Sequence, residues 1–411
     1  MSLSSSTFPR SILSNRSFLK LLAFRVQIVL AYQIVVVVVG WHIYELTHDA
    51  FALGLIGLAE VIPYFACALF AGYAVDHYSR RKFGVLAGLL TALTALMLVI
   101  TTLIASVNPL LWIYGSIACG GVARAFISPS YNSLFALVLP RDQYARAAGL
   151  GSSFFQFGLV VGPALGGALV GWANLTVAYS VATILAISAA ITLLSLHVIE
   201  PSPVKTAPIF ASIGEGLRFV FCHQIILGAQ ALDMFAVLFG GAVAMLPAFV
   251  QDVFNYGPEG LGILRAAPAA GAIMMGIFLV RYPVSQHAGR WLLFAVSGFG
   301  VCIILFALTN HFWLAAFLLM LSGICDSVSV VMRTTIMQLS TPDSMRGRVA
   351  SINGIFIGSS NELGAFESGL AARLMGLIPS VIFGGTMTLA VVSVTAFLAP
   401  QLRKLDLKKL H

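Results

Sequence analysis

Long apolar runs recur from residue 19 to residue 401, broken by short polar, basic or proline- and glycine-bearing stretches. A membrane-spanning helix needs about 20 mostly apolar residues. That length predicts twelve helices, at 19–46, 52–75, 82–105, 109–138, 143–172, 174–198, 224–251, 257–281, 287–308, 311–339, 343–374 and 377–401. The runs lack the strict alternation of membrane strands, and helices satisfy every backbone group internally in lipid. The expected fold is an all-α membrane protein. One run disturbs this pattern. The stretch "IGSSNELGAFESGLAA" (357–372) holds Glu362 and Glu367 among apolar, small or uncharged residues.

The pattern also repeats. "LPRDQYAR" (139–146) lies over "TPDSMRGR" (341–348) at an offset of 202 residues. Pro140 then falls on Pro342, Arg146 on Arg348, Gly162 on Gly364 and Gly167 on Gly369. A weaker match pairs "LGLIGLAEV" (53–61) with "LGILRAAPA" (261–269). Both prolines are expected near a first helical turn, where a missing N–H costs nothing. The repeat predicts two pseudo-symmetric six-helix bundles, 1–198 and 223–402, with a linker at 199–222 and a tail at 403–411. The linker holds Pro201, Pro203 and Pro208 and ends in "FASIGEGLRFVF", read as a short amphipathic helix on the membrane surface.

Composition supports lipid as the solvent. Hydrophobic residues make up 59% of the chain and charged residues 9%, against about 25% in soluble domains. The net charge of +8 raises a nucleic-acid reading, which its distribution removes. Of the 23 basic residues, 18 fall in the tails and in alternate connections, all on one side; the opposite loops have none. The positive-inside rule places both termini in the cytoplasm. The first twenty residues are polar, Ser-rich and basic, with no cleavage site of the A-x-A kind, so the first apolar run is expected to be a permanent helix. Cys67, Cys119, Cys222, Cys302 and Cys325 form no close sequence pair, so neither a disulfide framework nor a metal site is expected. There is no P-loop, no H-E-x-x-H and no nucleophile–base set, so no enzyme activity and no cofactor is expected.

The predicted 2–3 loop carries the sharpest motif. "GYAVDHYSRRK" (72–82) resembles the signature loop of the major facilitator superfamily, G-x-x-x-D-[RK]-x-G-[RK]-[RK]. Gly72, Asp76, Arg80 and Arg81 fall on its defining positions, while His77 and Ser79 depart from it. The corresponding 8–9 stretch, "VRYPVSQHAGR", keeps little beyond Gly289 and Arg290. The resemblance implies a cytoplasmic gate. Gly72 lets a neighbouring helix approach, Asp76 faces the N-terminus of predicted helix 11, and Arg80 and Arg81 join a charge network holding the halves together. The plain alternative is that the arginines only mark the positive-inside side.

Predicted helix 5 holds "GLVVGPALGG" (158–167), similar to the motif of proton-coupled drug exporters in its G-x-x-x-G-P-x-x-G-G form. Gly158, Gly162, Pro163, Gly166 and Gly167 match it. Glycines four apart make one smooth face, and Pro163 permits a kink. The alternative is tight packing of helices 5 and 8. The arginine common in helix 4 of such exporters is replaced by Ile117, with Arg124 two turns along. Across most of its length the chain resembles the branch that includes the enterobactin exporter and macrolide efflux proteins.

Ionisable residues within spans mark substrate or ion pathways by default. In the fold implied, helices 1, 4, 7 and 10 line a central cavity, which places Arg25, Gln33, Arg124, Gln230, Asp233, Asp326 and Arg333 there. Arg124 and Asp326 share the 202-residue offset with opposite charge. They are expected to meet across the cavity in one state and part in another, or else to form a structural pair. Asp326 and Arg333 lie two turns apart, too far to pair. Glu60 in helix 2, with Glu362 and Glu367 in helix 11, completes the set. A five-residue step turns about 140° around a helix, so Glu362 and Glu367 cannot share a face. Glu362, beside Asn361, is expected to face the substrate path and exchange a proton, since loss of water favours a neutral carboxyl. Glu367 is then expected in an internal salt bridge. The alternative makes both acids structural partners of Arg25, Arg265 or Arg373. Trp41, Tyr44, Tyr64, Phe126, Phe154, Phe155, Phe235 and Phe239 form a pocket wall or ordinary packing.

The reading is a secondary active transporter, monomeric in the lipid bilayer. It exports an amphipathic small molecule, a drug or a siderophore, as a proton antiporter by alternating access. The rivals are an importer of a small metabolite or siderophore, and a lipid transporter. A membrane sensor would need a soluble signalling domain, which the sequence does not show.

Overall fold

The computed structural model describes residues 15–104, 108–140, 143–198, 200, 209–282, 287–342, 345–403 and 405 of the chain. Among these residues there are helices and turns but no strand. The first six predicted helices are α1 (Arg16–Thr47), α2 (Ala50–His77), α3 (Arg80–Leu103), α4 (Pro109–Val138), α5 (Tyr144–Trp172) and α6 (Leu175–Leu194). The short linker helix is α7 (Ile209–Cys222); residues 201–208 lie outside the described ones. Then come α8 (Gln224–Phe239), α9 (Leu246–Ala248), α10 (Pro258–Arg281), α11 (Ala288–Leu308), α12 (Phe312–Ser340), α13 (Arg346–Met375), α14 (Leu377–Leu398) and a terminal turn, α15 (Pro400–Arg403).

Side chains at the helix starts explain several boundaries. The Asn15 side chain accepts from the N–H groups of Ser17 and Phe18, Asp49 from Phe51, Ser79 from Lys82 and Asn174 from Val177. Pro140 and Pro342 do not enter the helices that follow. Each stands ahead of its helix, and its carbonyl accepts from Gln143 (3.1 Å) or Met345 (2.9 Å), positions that keep the 202-residue offset.

Among the described residues, eleven stretches are long and apolar enough to cross a membrane. The expected twelfth is α13. It has 30 residues, but its serines, Asn361 and two glutamates make it too polar to qualify by composition, so its place as a span rests on length alone. The outer surface of the bundle is apolar: Trp172 is 86% exposed, Val280 87% and Phe397 81%, a surface for lipid rather than water.

Predicted helix 7 is not one continuous rod. It breaks after Phe239 into a 3-10 turn (Gly241–Met245), the single turn α9 and a π turn (Phe249–Val253). The break falls where neighbours crowd its backbone. A side chain on Gly240 would meet the Phe299 ring of α11, and one on Gly241 would meet Ser368 and the Gly364 backbone of α13. Pro247, which follows, offers no N–H.

The helices pack in two sets. α1 lies on α5 and α6, α2 on α4, and α3 on α4 and α6; α10 lies on α12, α11 on α12 and α14, and α8 on α13 and α14. Two seams join the sets, α2 against α13 and α5 against α10. Each closes on a glycine pair. A Cβ on Gly54 would stand 2.9 Å from the Gly369 Cα, and a Cβ on Gly167 would stand 2.9 Å from the Gly262 Cα. The sequence repeat maps one pair onto the other.

These contacts lie toward the side of the loops that carry Glu45, Asp49 and Asp252, here the acidic side. There Gly40 packs on Pro247, Phe51 on Phe366, and the Tyr44 hydroxyl donates to Asp252. Toward the opposite, basic side, no described atom stands within 4 Å of a Cβ built on Gly72, Gly149, Gly276 or Gly354 of the same four seam helices. Among the described residues, the two sets therefore close on the acidic side and part on the basic side.

Candidate functional site

Near the level where the seams part, side chains from four helices converge. Arg124 on α4 donates through one nitrogen, Nη1, to Glu60 Oε1 on α2 at 2.8 Å and to Glu362 Oε1 on α13 at 2.5 Å. The Tyr32 hydroxyl on α1 donates to the same Glu60 oxygen at 2.7 Å. The Arg124 guanidinium also stands 5.5 Å from the ring centre of Tyr32 and 5.3 Å from that of Tyr64, within the range of cation–π attraction. Glycines bring these helices together: the Gly121 face abuts the backbone carbonyl of Glu60, and Gly57 abuts that of Glu362. The Glu60 side chain is 8% exposed, that of Glu362 15% and that of Arg124 27%.

Arg265 on α10 stands within electrostatic reach of Glu362, Glu60 and Tyr32. Each set of helices thus brings one acid and one arginine to this level, and only Arg124 makes an ion pair there among the described residues. A cavity with mostly apolar walls, including Val35, Val39, Ile56 and Ile117, reaches Glu60 and Tyr32 from between α1, α2, α3 and α4.

The expected pairing of Arg124 with Asp326 is not made in this conformation. Glu60 and Glu362 occupy the guanidinium, and no ion pair forms at Asp326 among the described residues. Arg333 is paired instead with Asp233 of α8, both side chains nearly fully buried. The split between the two acids of α13 also differs from expectation. Glu362 makes the ion pair, and Glu367 accepts from the Ser368 hydroxyl at 3.4 Å. Asn361 is exposed, and its amide turns back to the Ile357 carbonyl. The other arginines weighed as partners stack on rings: Arg25 lies 4.1 Å from the Tyr131 centre and 4.9 Å from that of Phe155, and Arg373 lies 4.8 Å from that of Phe51.

The signature loop holds to its own set of helices. The Glu200 carboxylate accepts from the Ser79 hydroxyl (2.9 Å) and from the N–H groups of Arg80 (2.8 Å) and Arg81 (3.2 Å), while Arg81 Nη1 donates to the Leu196 carbonyl at 2.8 Å. Among the described residues, the hydrogen bonds of Arg80 and Arg81 go to the exit of α6. No described atom stands within 4 Å of a Cβ built on Gly72. The Asp76 side chain lies outside the described ones.

The helix-5 glycines serve two contacts. Gly158, Gly162 and Gly166 face Val29, Gln33 and Ile34 of α1, and Gly167 faces Gly262 of α10. Sequence reasoning weighed Arg265 as a partner of Glu362 but missed Tyr32, Glu200 and Asp252. Nothing in their local spacing distinguishes them, since each partner comes from a distant helix.

Residues 23–365 match the sequence profile of the Major Facilitator Superfamily. The chain belongs to this superfamily. Relatives span nearly its whole length. The multidrug efflux pump Tap of Mycolicibacterium fortuitum is 26% identical over 390 residues, 91% of this chain and 93% of that protein. Macrolide efflux protein A of Streptococcus pyogenes is 23% identical over 385 residues, 90% and 92% of the two chains. The enterobactin exporter EntS of Shigella boydii is 24% identical over 372 residues, 88% of each. A solved D-xylose–proton symporter superposes with a TM-score of 0.74 at 11% identity, covering 95% of this chain and 99% of that one. As a member of the superfamily the protein is a membrane transporter, not an enzyme. The superfamily read from the signature loop and the whole-chain resemblance to efflux proteins are borne out.

Proposed function

We propose that the protein exports an amphipathic small molecule, a drug or a siderophore, in exchange for protons, with Glu362 as the proton-exchanging acid. The observation that carries this is the Arg124–Glu362 bond, which joins the two sets of helices while the basic side is open. An ion pair needs the charged carboxylate. Rocking the sets would move α13 relative to α4 and separate the pair, leaving Glu362 poorly solvated and without its cation. A buried carboxylate that loses its partner takes up a proton. Glu362 would then gain a proton when the acidic side is open and release it when the basic side is open.

The basic side is the cytoplasmic one by the positive-inside rule. Protons then move inward and substrate outward. Glu60 and Tyr32 stay with Arg124 and hold it in place through the cycle. The relatives' names, a multidrug pump, a macrolide efflux protein and an enterobactin exporter, support export and suggest where to look for substrates.

The test uses inverted inner-membrane vesicles with an inside-acid gradient and a panel of lipophilic drugs, macrolides and catecholate siderophores. Export predicts gradient-dependent accumulation of at least one class, abolished by an uncoupler. Accumulation only in right-side-out vesicles would establish an importer instead.

A further inference from the structure

A further cation stands apart from the charge cluster. The Arg25 guanidinium of α1 lies 4.1 Å from the ring centre of Tyr131 on α4 and 4.9 Å from that of Phe155 on α5, both within cation–π range. Gly151 of α5 leaves room for the Tyr131 hydroxyl, since a Cβ there would stand 2.8 Å from it. No acid balances this charge. α4 and α5 contain no Asp or Glu, and the one acid of α1 is Glu45 at its far end. Among the described residues, no hydrogen bond or ion pair engages the Arg25 side chain. Rings attract the face of a guanidinium and leave its edge, with its five N–H donors, unused.

Arg25 precedes Tyr32 by seven residues, and Tyr131 follows Arg124 by seven. Seven residues make nearly two helical turns, so Arg25 and Tyr131 lie on the helix faces that carry the cluster, about 10 Å nearer the basic side. Ser128 and Asn132, four and eight residues past Arg124 on α4, are exposed. Polar side chains exposed within a span mark a wet cavity and not a lipid surface. Because the sets part on the basic side, a molecule entering from there meets Arg25 before it meets Arg124 and Glu362.

We infer that Arg25, held by Tyr131 and Phe155, is a binding site for the carboxylate of an amphipathic organic anion with a flat apolar body. A guanidinium edge matches a carboxylate with two parallel N–H···O bonds. An unpaired charge within a span is costly, and a bound anion offsets it. The rings already hold the guanidinium in place, which lowers the ordering cost of binding. The site deepens the transport reading by naming a class of cargo, and it rests on that reading for the cargo's role. Binding itself needs neither a proton gradient nor a direction of transport.

The test is isothermal titration calorimetry on the full-length protein in nanodiscs of zwitterionic lipid, with empty nanodiscs as the blank. The probes are 2-naphthoate and its uncharged counterpart 2-naphthylmethanol. Wild type should bind 2-naphthoate about tenfold more tightly, the worth of a hydrogen-bonded charge pair. Arg25→Gln should bind the two probes alike, at the wild-type level for 2-naphthylmethanol. Where Arg25→Gln fails to fold, Arg25→Lys is the check: a charge without the planar fork should keep only part of the preference. Equal affinity of wild type for the two probes would overturn the inference, as would an undiminished preference in the folded variants. Glu362→Gln should keep the 2-naphthoate preference, so loss of proton exchange and loss of this site are read separately.

Discussion

At the residue scale, Arg124 serves two acids through a single nitrogen. Removing it strands Glu60 and Glu362 together in a poorly solvated place, and breaking a buried pair from one side costs about 3–5 kcal/mol. Arg124→Gln is therefore expected to abolish transport and lower the melting temperature of the purified protein, as read by thermal unfolding in detergent. Glu60→Gln is a milder change, because its amide oxygen can still accept from Tyr32 and Arg124. That variant should fold as wild type and keep part of its transport. The Asp233–Arg333 pair gives an independent check. With side chains 6% and 4% exposed, Asp233→Ala leaves a buried guanidinium uncompensated and should destabilise by about 3 kcal/mol or more. Asp233→Asn, which keeps an acceptor, should cost less in the same assay. The sequence marked Arg124, Glu60, Glu362, Asp233 and Arg333 as charges needing partners. It did not assign the partners, because Arg124 reaches 64 residues back and 238 forward along the chain. The pseudo-symmetry of Arg124 with Asp326 predicted a contact that two nearer acids pre-empt.

At the element scale, the glycine pairs Gly54–Gly369 and Gly167–Gly262 set how closely the seams shut on the acidic side. An added side chain on either would meet backbone, which cannot swing away. Gly54→Val and Gly167→Val are expected to wedge that side apart. In a cysteine-free background, spin labels at Glu45→Cys and Tyr256→Cys should then show a longer distance population than the parent. An unchanged distance would remove these pairs from the closing contact. Glu200 makes a different element-level contact. It fills the N-terminus of α3 with three hydrogen bonds, an arrangement worth about 1–2 kcal/mol when a side chain caps a helix and meets its dipole. Glu200→Ala should raise amide hydrogen exchange at residues 79–82 and leave the acidic side unaffected. The elements themselves were legible: apolar runs of spanning length set six of the helices within a few residues, from α1 to α6. The break in predicted helix 7 was not, because its cause is crowding by α11 and α13 and not a local breaker alone.

At the scale of the whole molecule, a 202-residue repeat in the sequence becomes a pair of equivalent seams, and the charge cluster sits where those seams part. The fold class and the family were readable because they depend on period, length and motif. The state of the molecule was not, since a sequence common to all states cannot say which side is shut. Gly72, Arg80 and Arg81 were expected in contact with the other set; the described hydrogen bonds of Arg80 and Arg81 stay with the exit of α6, and no described atom stands within 4 Å of a Cβ built on Gly72. The central claim is that Glu362 alternates between Arg124 and a proton as the sets rock. It is tested most directly by reconstituting wild type and Glu362→Gln with a substrate found in the vesicle panel. Gradient-driven accumulation is compared with counterflow, which exchanges labelled for unlabelled substrate without a proton gradient. The account predicts that Glu362→Gln loses accumulation and retains counterflow. Gradient-driven accumulation equal to wild type in that variant would contradict it.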